Sequence, residues 1–433
     1  MKHLASFVVL TLLACATAAP QDPPRPEARN VIFLIGDGMG FSQVTLARVV
    51  SGKPLHLDGF PATGFQISTS ADHCVTDSAA AATALASGTK TRNFAIGIDP
   101  DGKPLRTILE EARDQGRATG LVTTSKITHA TPACFAAHVS HRSNEGDIAK
   151  QYLDAHVDVL LGGGARFLPD GGGFAQRGYT VVRDRGALSG VDASKLLGLF
   201  HEDHVPYVLD RTEACPSLVD MARKAIDVLA KDPDGFFLMI EGARIDMACH
   251  ASDAASCVKE MLEFDEVCRL AREFAAKDGR TLVVVTADHA TGALAITEKV
   301  RDRAKLFDRV KTSAEKLHDL IRQSPRAASP EQVARDVIKE HTGVDDVTDG
   351  ELKAYFALKG PYDPGARLGE IVSKRLGVTF IPLDYRLEKP NETHGHDGAM
   401  VPIYAFGPGA ARFGGTLDNT DIPKRIREIA GYK

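Results

Sequence analysis

Short apolar runs alternate with longer amphipathic stretches along most of the chain. Val31–Ile35, Leu121–Thr123, Val157–Leu161, Phe236–Ile240, Leu282–Val285 and Ile403–Phe406 are largely apolar segments of the kind that form strands buried on both faces. Between them, Ser78–Ser87, Leu105–Asp114, Pro216–Ala230 and Asp253–Ala276 carry helical patterns, and Ile422–Ile429 does so again near the end. This alternation predicts an α/β fold with a large central, mostly parallel sheet covered by helices on both faces. From Val300 to about Arg375 the pattern turns to charged helical segments, with Ser329-Pro330-Glu331 as a start signal and Gly343, Gly360 and Gly365 as breaks. The expectation is a helical insertion over 301–385, before a last strand at Pro402–Phe406.

The first residues have a different character. Met1-Lys2-His3 precedes a mostly apolar run, Leu4–Leu13, that is too short to span a bilayer as a mature helix. Residues 1–18 are therefore expected to be an export signal. Ala16-Thr17-Ala18 suits cleavage after small residues, whereas Thr11-Leu12-Leu13-Ala14-Cys15 resembles a lipobox that would make Cys15 a lipid-bearing first residue. Residues 19–29 read as a Pro-rich tether and 30–433 as the folded domain. The expected location is periplasmic or secreted, either free or membrane-anchored as a lipoprotein. In an oxidising compartment Cys74, Cys134, Cys215, Cys249, Cys257 and Cys268 could form disulfides, and buried free thiols are the alternative.

Composition removes some functions. The 433 residues carry 52 Lys+Arg against 57 Asp+Glu, a net charge of −5, so nucleic acid is not an expected partner. Gly36-Asp37-Gly38-Met39-Gly40 follows a strand as a dinucleotide-binding turn would, but Phe41 stands where the third glycine is needed and Asp37 would repel a pyrophosphate. No phosphate-binding loop of the G-x-x-x-x-G-K-[ST] type occurs.

The candidate chemistry lies where strands end. Asp37 follows Ile35-Gly36, Glu241 follows Met239-Ile240, and Asp288 follows Val285-Thr286-Ala287. Ligands of open α/β sheets bind outside the carboxyl ends of the strands, so these acids are expected to converge there. Two like charges about 4 Å apart repel by roughly 4 kcal/mol at an effective dielectric near 20, and divalent cations relieve that repulsion. Asp246 and His250 are four apart and would share one helix face; Asp288-His289 is an adjacent oxygen/nitrogen pair. His394 and His396 offer two imidazoles on the Gly-flanked loop Thr393–Gly398, whereas His201 and His204 have no strand end or second cluster beside them. Ser78 would sit at a helix start before an Ala run, where free N–H groups favour an anion, although Asp77 or Ser78 could be only a cap. A serine nucleophile needs a base or a metal, and no G-x-S-x-G elbow is present.

Taken together these residues resemble the alkaline phosphatase family over nearly the whole chain outside the insertion. Asn30–Gly40, Asp77-Ser78-Ala79, His129-Ala130-Thr131-Pro132, His138–Arg142, Glu241–His250, Thr286–His289 and the His-rich loop occur in the family's order. The resemblance implies hydrolysis of small-molecule phosphate monoesters through a phosphoserine on Ser78, with two zinc ions and one magnesium. It assigns Asp246, His250 and His396 to the first zinc, and Asp37, Asp288 and His289 to the second. Asp37, Thr131 and Glu241 go to magnesium, Arg142 to the phosphate, and Asp77 to orienting Arg142. His396 is preferred to His394 for its distance to Gly407-Pro408. His129, where some members have Asp, and Met247, where Lys or His is common, are departures. The insertion is expected to cap the site or to build a homodimer contact. A phosphodiesterase of the same superfamily and a non-catalytic zinc- or phosphate-binding envelope protein are the alternatives; no C/S-x-P-x-R setting for a sulfatase is present.

Overall fold

The structure, a computed structural model, describes residues 27–325, 329–357, 364–382 and 391–433. The expected export signal, Cys15 and most of the tether lie outside the described residues. Residues 27–29 do not belong to a tether. Ala28 is fully buried and donates its N–H to Ile429 O at 3.0 Å, and Arg29 N–H reaches Arg280 O at 2.8 Å.

Ten strands form one sheet: Asn30–Gly36, Ala62–Ile67, Ala118–Lys126, Val159–Gly163, Thr180–Val182, Leu196–Leu199, Phe236–Gly242, Thr281–Thr286, Val401–Phe406 and Gly415–Asp418. Asn30–Gly36 lies at the centre, parallel to both Phe236–Gly242 and Thr281–Thr286, and Ala118–Lys126 continues the parallel run beyond Phe236–Gly242. Alternate residues of the central strand feed two cores. Ile32 and Leu34 pack with the helices Phe41–Ser51, Leu218–Leu229 and Ala254–Asp278, while Val31, Phe33 and Ile35 pack with Ser78–Ser87, Ile108–Asp114, Ala130–Ala136 and Asp421–Ala430. The sheet is thus mostly parallel and covered on both faces, as the apolar runs predict.

The sequence pattern misplaced two edges. Val401–Phe406 is not the last strand, because Gly415–Asp418 follows it, and it runs antiparallel to both of its neighbours. Ala62–Ile67 was missed because its sequence, ATGFQI, buries alternate residues only and shows no continuous apolar run. The helix expected from Leu105 begins at Ile108, because Thr107 and Glu110 form a reciprocal cap that stops it there.

Between residues 299 and 376 the described elements are helical: Lys299–Arg303, Ala304–Arg309, Ala314–Gln323, Pro330–Thr342, Asp349–Ala357 and Pro364–Leu376. This layer is tied to the segment that carries Asp246 and His250. Asp253 Oδ2 accepts Ala314 N–H at 2.8 Å, Ser373 Oγ donates to Ser252 O at 2.7 Å, and Arg244 Nη2 reaches Glu315 Oε2 at 3.2 Å. The six described cysteines are free thiols, four of them buried, so the disulfides allowed by the sequence are not formed; the sulfurs of Cys249 and Cys257 lie 3.6 Å apart.

Candidate active site

Sheet register brings the acids to one level. Ile35 lies beside Glu241 on one side and Thr286 on the other, and Thr123 lies beside Glu241 on its far side. The turn after the central strand presses against its neighbours: Gly38 has φ +71°, and a Cβ there would meet Asp246 Cα at 2.8 Å. Only glycine permits both that conformation and that approach.

Asp37, Glu241, Asp288 and His289 are fully buried, and several of their oxygens have no hydrogen-bond partner: both oxygens of Asp37, Oε1 of Glu241 and Oδ2 of Asp288. Thr131 Oγ1 is buried and unpartnered as well. The remaining atoms are held. Asp288 Oδ1 accepts Gly38 N–H at 3.1 Å and His289 N–H at 2.8 Å, and Glu241 Oε2 accepts the Thr123 hydroxyl and Ser125 Oγ–H, the latter at 3.3 Å. Burial pushes Asp288 and Glu241 up to about 7, and burial together with the charges of Asp288 and Asp246 raises Asp37 well above the carboxylate range. Unpaired buried carboxylate oxygens are costly, and a bound cation is the compensation that fits all of them at once.

The imidazoles complete three overlapping groups. Donor atoms of Asp246, His250 and His396 lie within 4.8 Å of one another, as do those of Asp37, Asp246 and His289, and those of Asp37, His129 and Glu241. His250 Nε2 stands 3.3 Å from Asp246 Oδ2 and 3.0 Å from His396 Nε2. The His289 and His396 rings stack with centroids 3.7 Å apart, and His289 Nε2 reaches Asp288 Oδ2 at 3.2 Å and Asp37 Oδ1 at 3.5 Å. Burial pushes His289 down to about 4 and His396 well below its ordinary value, so both are neutral and free to donate nitrogen lone pairs. Gly395, at φ +83°, lets the loop pass where a Cβ would lie 2.7 Å from His250 Nδ1.

Ser78 opens the helix Ser78–Ser87 and is 2% exposed, with Oγ 3.2 Å from His289 Nε2. Asp77 is the cap: Oδ1 accepts Ala80 N–H at 3.0 Å and Phe94 N–H at 2.9 Å, while Oδ2 accepts Arg142 Nη1–H at 2.9 Å. Burial is the largest single influence and opposes the Asp77 charge, but Arg142 together with the N–H groups of Ala80 and Phe94 outweighs it and holds the carboxyl low. Arg142 Nη2 lies 3.0 Å from His129 Nε2.

The structure therefore brings Asp37, Asp77, Ser78, His129, Thr131, Arg142, Glu241, Asp246, His250, Asp288, His289 and His396 into one cluster. Two residues join the expected ligand sets: Asp246 lies beside Asp37 and His289, and His129 beside Asp37 and Glu241. Asp288 stays in contact as well, its Oδ2 3.2 Å from His289 Nε2. Asp246 belongs to two of the three groups, and its helix, Arg244–His250, starts just after the strand that carries Glu241. His394 is partly exposed, and its ring is pushed down by burial and by the neighbouring His250. Met247 points away from the group, its sulfur 3.1 Å from Arg244 Nη1. His204, set aside in the sequence, packs edge-on against His129 with centroids 5.4 Å apart, whereas His201 is exposed. Thr123, Ser125 and Thr291 were missed; hydroxyls beside strand ends are too common to signal a site.

The alkaline phosphatase family profile matches residues 28–432. Alkaline phosphatase 3 of Bacillus subtilis is 36% identical over 475 residues, covering 100% of this chain and 97% of its own. The solved alkaline phosphatase of Thermus thermophilus superposes with a TM-score of 0.83 at 29% identity, covering 98% of this chain and 96% of its own. A histidine-to-aspartate variant of the alkaline phosphatase from the Antarctic bacterium TAB5, solved with magnesium in its M3 site, gives 0.68 at 27% identity over 95% and 100%. The chain belongs to the alkaline phosphatase family, metal-dependent hydrolases of phosphoric monoesters.

Proposed function

We propose that this chain hydrolyses small-molecule phosphate monoesters by way of a phosphoserine on Ser78. The observation that carries this is Ser78 Oγ at a helix start, 3.2 Å from His289 Nε2, beside three overlapping donor groups. Asp246, His250 and His396 would hold one zinc, and Asp37, His289 and Asp246 or Asp288 the second. Imidazole with carboxylate suits zinc. Asp37 and Glu241, with Thr131 or His129, would hold magnesium; the carboxylate and hydroxyl oxygens of this set favour it. Bound cations supply positive charge at the attacking and leaving oxygens and lower the pKa of the serine hydroxyl and of water.

The chain's own groups supply the rest. Arg142, fixed by Asp77, presents its remaining N–H groups to two phosphate oxygens, and the free N–H groups of the helix start face the same anion. Ser78 gives up its hydroxyl hydrogen and Oγ attacks phosphorus in line while the ester P–O bond breaks on the opposite side; the leaving alkoxide takes a proton from water, and water then attacks the phosphoserine from the vacated side, breaking the Oγ–P bond to restore Ser78 and release phosphate. Charge is thus met by preplaced donors where it develops. Quenching turnover in acid and mapping phosphate to Ser78 by mass spectrometry tests this; label on another residue, or on none under burst conditions, excludes it. Equal rates on phosphodiesters would favour the diesterase alternative.

Among the described residues no helix is long and apolar enough to cross a membrane. Export through residues 1–18, with lipid anchoring at Cys15 if the lipobox is used, is part of the same proposal, and the intact mass of the mature N-terminus decides it. A homodimer is proposed as well; Phe41 and Phe65, exposed and 5.6 Å apart, favour an apolar contact surface, and sedimentation tests it.

A further inference from the structure

Thr291 touches the candidate site from three directions and has no role in the mechanism above. It is fully buried just beyond His289. Its Oγ1–H donates to Asp246 Oδ1 at 2.5 Å, and the same oxygen lies 3.1 Å from His289 Nδ1. Its carbonyl accepts Gln43 Nε2–H at 2.6 Å. It pairs with His396 across a two-residue antiparallel bridge, and next to it Gly292 N–H reaches Gly395 O at 2.6 Å. One buried residue thus joins the segments that carry Asp246, His289 and His396.

We propose that Thr291 is a positioning residue that fixes the His289 tautomer and couples the two zinc groups through one hydroxyl. The inference rests on the metal-dependent reading above. A hydroxyl has one hydrogen to give. Asp246, held charged beside His250, accepts it, so the Thr291 lone pairs face His289 Nδ1, and that nitrogen must carry the ring's hydrogen. Nε2 is then left with its lone pair directed toward Asp37, Asp288 and the Ser78 oxygen. The chain Nδ1–H to Thr291 Oγ–H to Asp246 Oδ1 orients a nitrogen donor of one group and a carboxylate that belongs to both. Outer hydrogen bonds of this kind typically change metal affinity by about 10–100-fold. Because the backbone of Thr291 is pinned by Gln43 and by the His396 bridge, the hydroxyl cannot follow a ligand that swings away.

Zinc titration of metal-free wild type, Thr291→Val and Thr291→Ser, read by calorimetry, separates the outcomes. Thr291→Val fills the same space without a hydrogen to give, and is expected to weaken both zinc steps by about 10–100-fold. Thr291→Ser, which keeps the hydroxyl, is expected to bind within a few-fold of wild type. Nitrogen-15 spectra of histidine-labelled wild type should show Nδ1 of His289 protonated, and that preference should be lost in Thr291→Val. If Thr291→Val does not fold, Thr291→Ala takes its place with the same expectation. Wild-type zinc affinity in Thr291→Val with an unchanged tautomer overturns the inference while leaving the metal-dependent reading intact; a wild-type chain that binds no zinc overturns that reading itself.

Discussion

Charged groups are treated oppositely in two neighbouring regions of this molecule. In the helical layer between residues 299 and 376, charges are mostly at the surface and meet partners of opposite sign, as Arg375 does with Glu351 and Asp346, and Lys374 with Glu370. At the carboxyl end of the central strands, Asp37, Glu241 and Asp288 are wholly buried, and each has at least one oxygen that meets no donor. Surface pairs contribute roughly 0–1 kcal/mol each, whereas a buried carboxylate without compensation costs several times that. An arrangement that costs so much, kept beside a nucleophile-bearing helix start, is the physical mark of a cation site.

The largest effect expected is on turnover. Ser78→Ala should lower kcat on p-nitrophenyl phosphate by about a thousandfold or more, with metal content unchanged. Retained turnover would move the nucleophile elsewhere and break the link between the orphaned acids and Ser78.

Metal removal is next. Chelated protein should lose activity and recover it on adding zinc and magnesium together, and its stability should acquire a pH dependence that the loaded protein lacks. Asp288 and Glu241 titrate near 7 in the fold against 3.8 and 4.5 unfolded, so between those values the folded chain binds more protons than the unfolded one. Stability of the metal-free protein therefore falls as pH rises through that window. His289, pushed from 6.5 to about 4, acts in the opposite sense but has finished titrating above its unfolded value, which leaves the clearest fall between pH 6.5 and about 8. Bound cations ionise these ligands at lower pH and should flatten the curve. Melting temperatures of both forms across that range check it; parallel curves would mean that the acids do not meet the metal.

A smaller effect falls on Arg142. Arg142→Ala should cost about a hundredfold in kcat/KM and weaken inhibition by inorganic phosphate, because one bidentate clamp is lost while the cations remain. The smallest belongs to the other region: Lys374→Ala, which removes an exposed partner of Glu370, should change stability by less than about 0.5 kcal/mol and leave kcat untouched. A large loss there would erase the contrast between the two regions.

Much of this contrast could be read from the chain because parallel strands end where ligands gather. The acids after Gly36, Ile240 and Ala287 therefore point to one place. The central strands were legible as continuous apolar runs, and the 299–376 helices as a change to charged periodic segments. What stayed hidden depends on long-range contacts. His204 reaches His129 only because its loop folds back over the end of the sheet, and its local sequence, His201-Glu202-Asp203-His204, looks like any exposed polar turn. Ala62–Ile67 and Gly415–Asp418 lie at one side of the sheet, where alternating or short segments give little signal. Asp246 was legible as a partner of His250, but not its second reach toward Asp37, which follows from the close pass of Gly38.

Diffraction from zinc-loaded crystals at the zinc absorption edge tests the central claim most directly. Two anomalous peaks are predicted beside Ser78 Oγ, one among Asp246, His250 and His396 and the other among Asp37, His289 and the neighbouring carboxylates. Peaks confined to the protein surface, with Asp37 and Asp288 still bare, would contradict it.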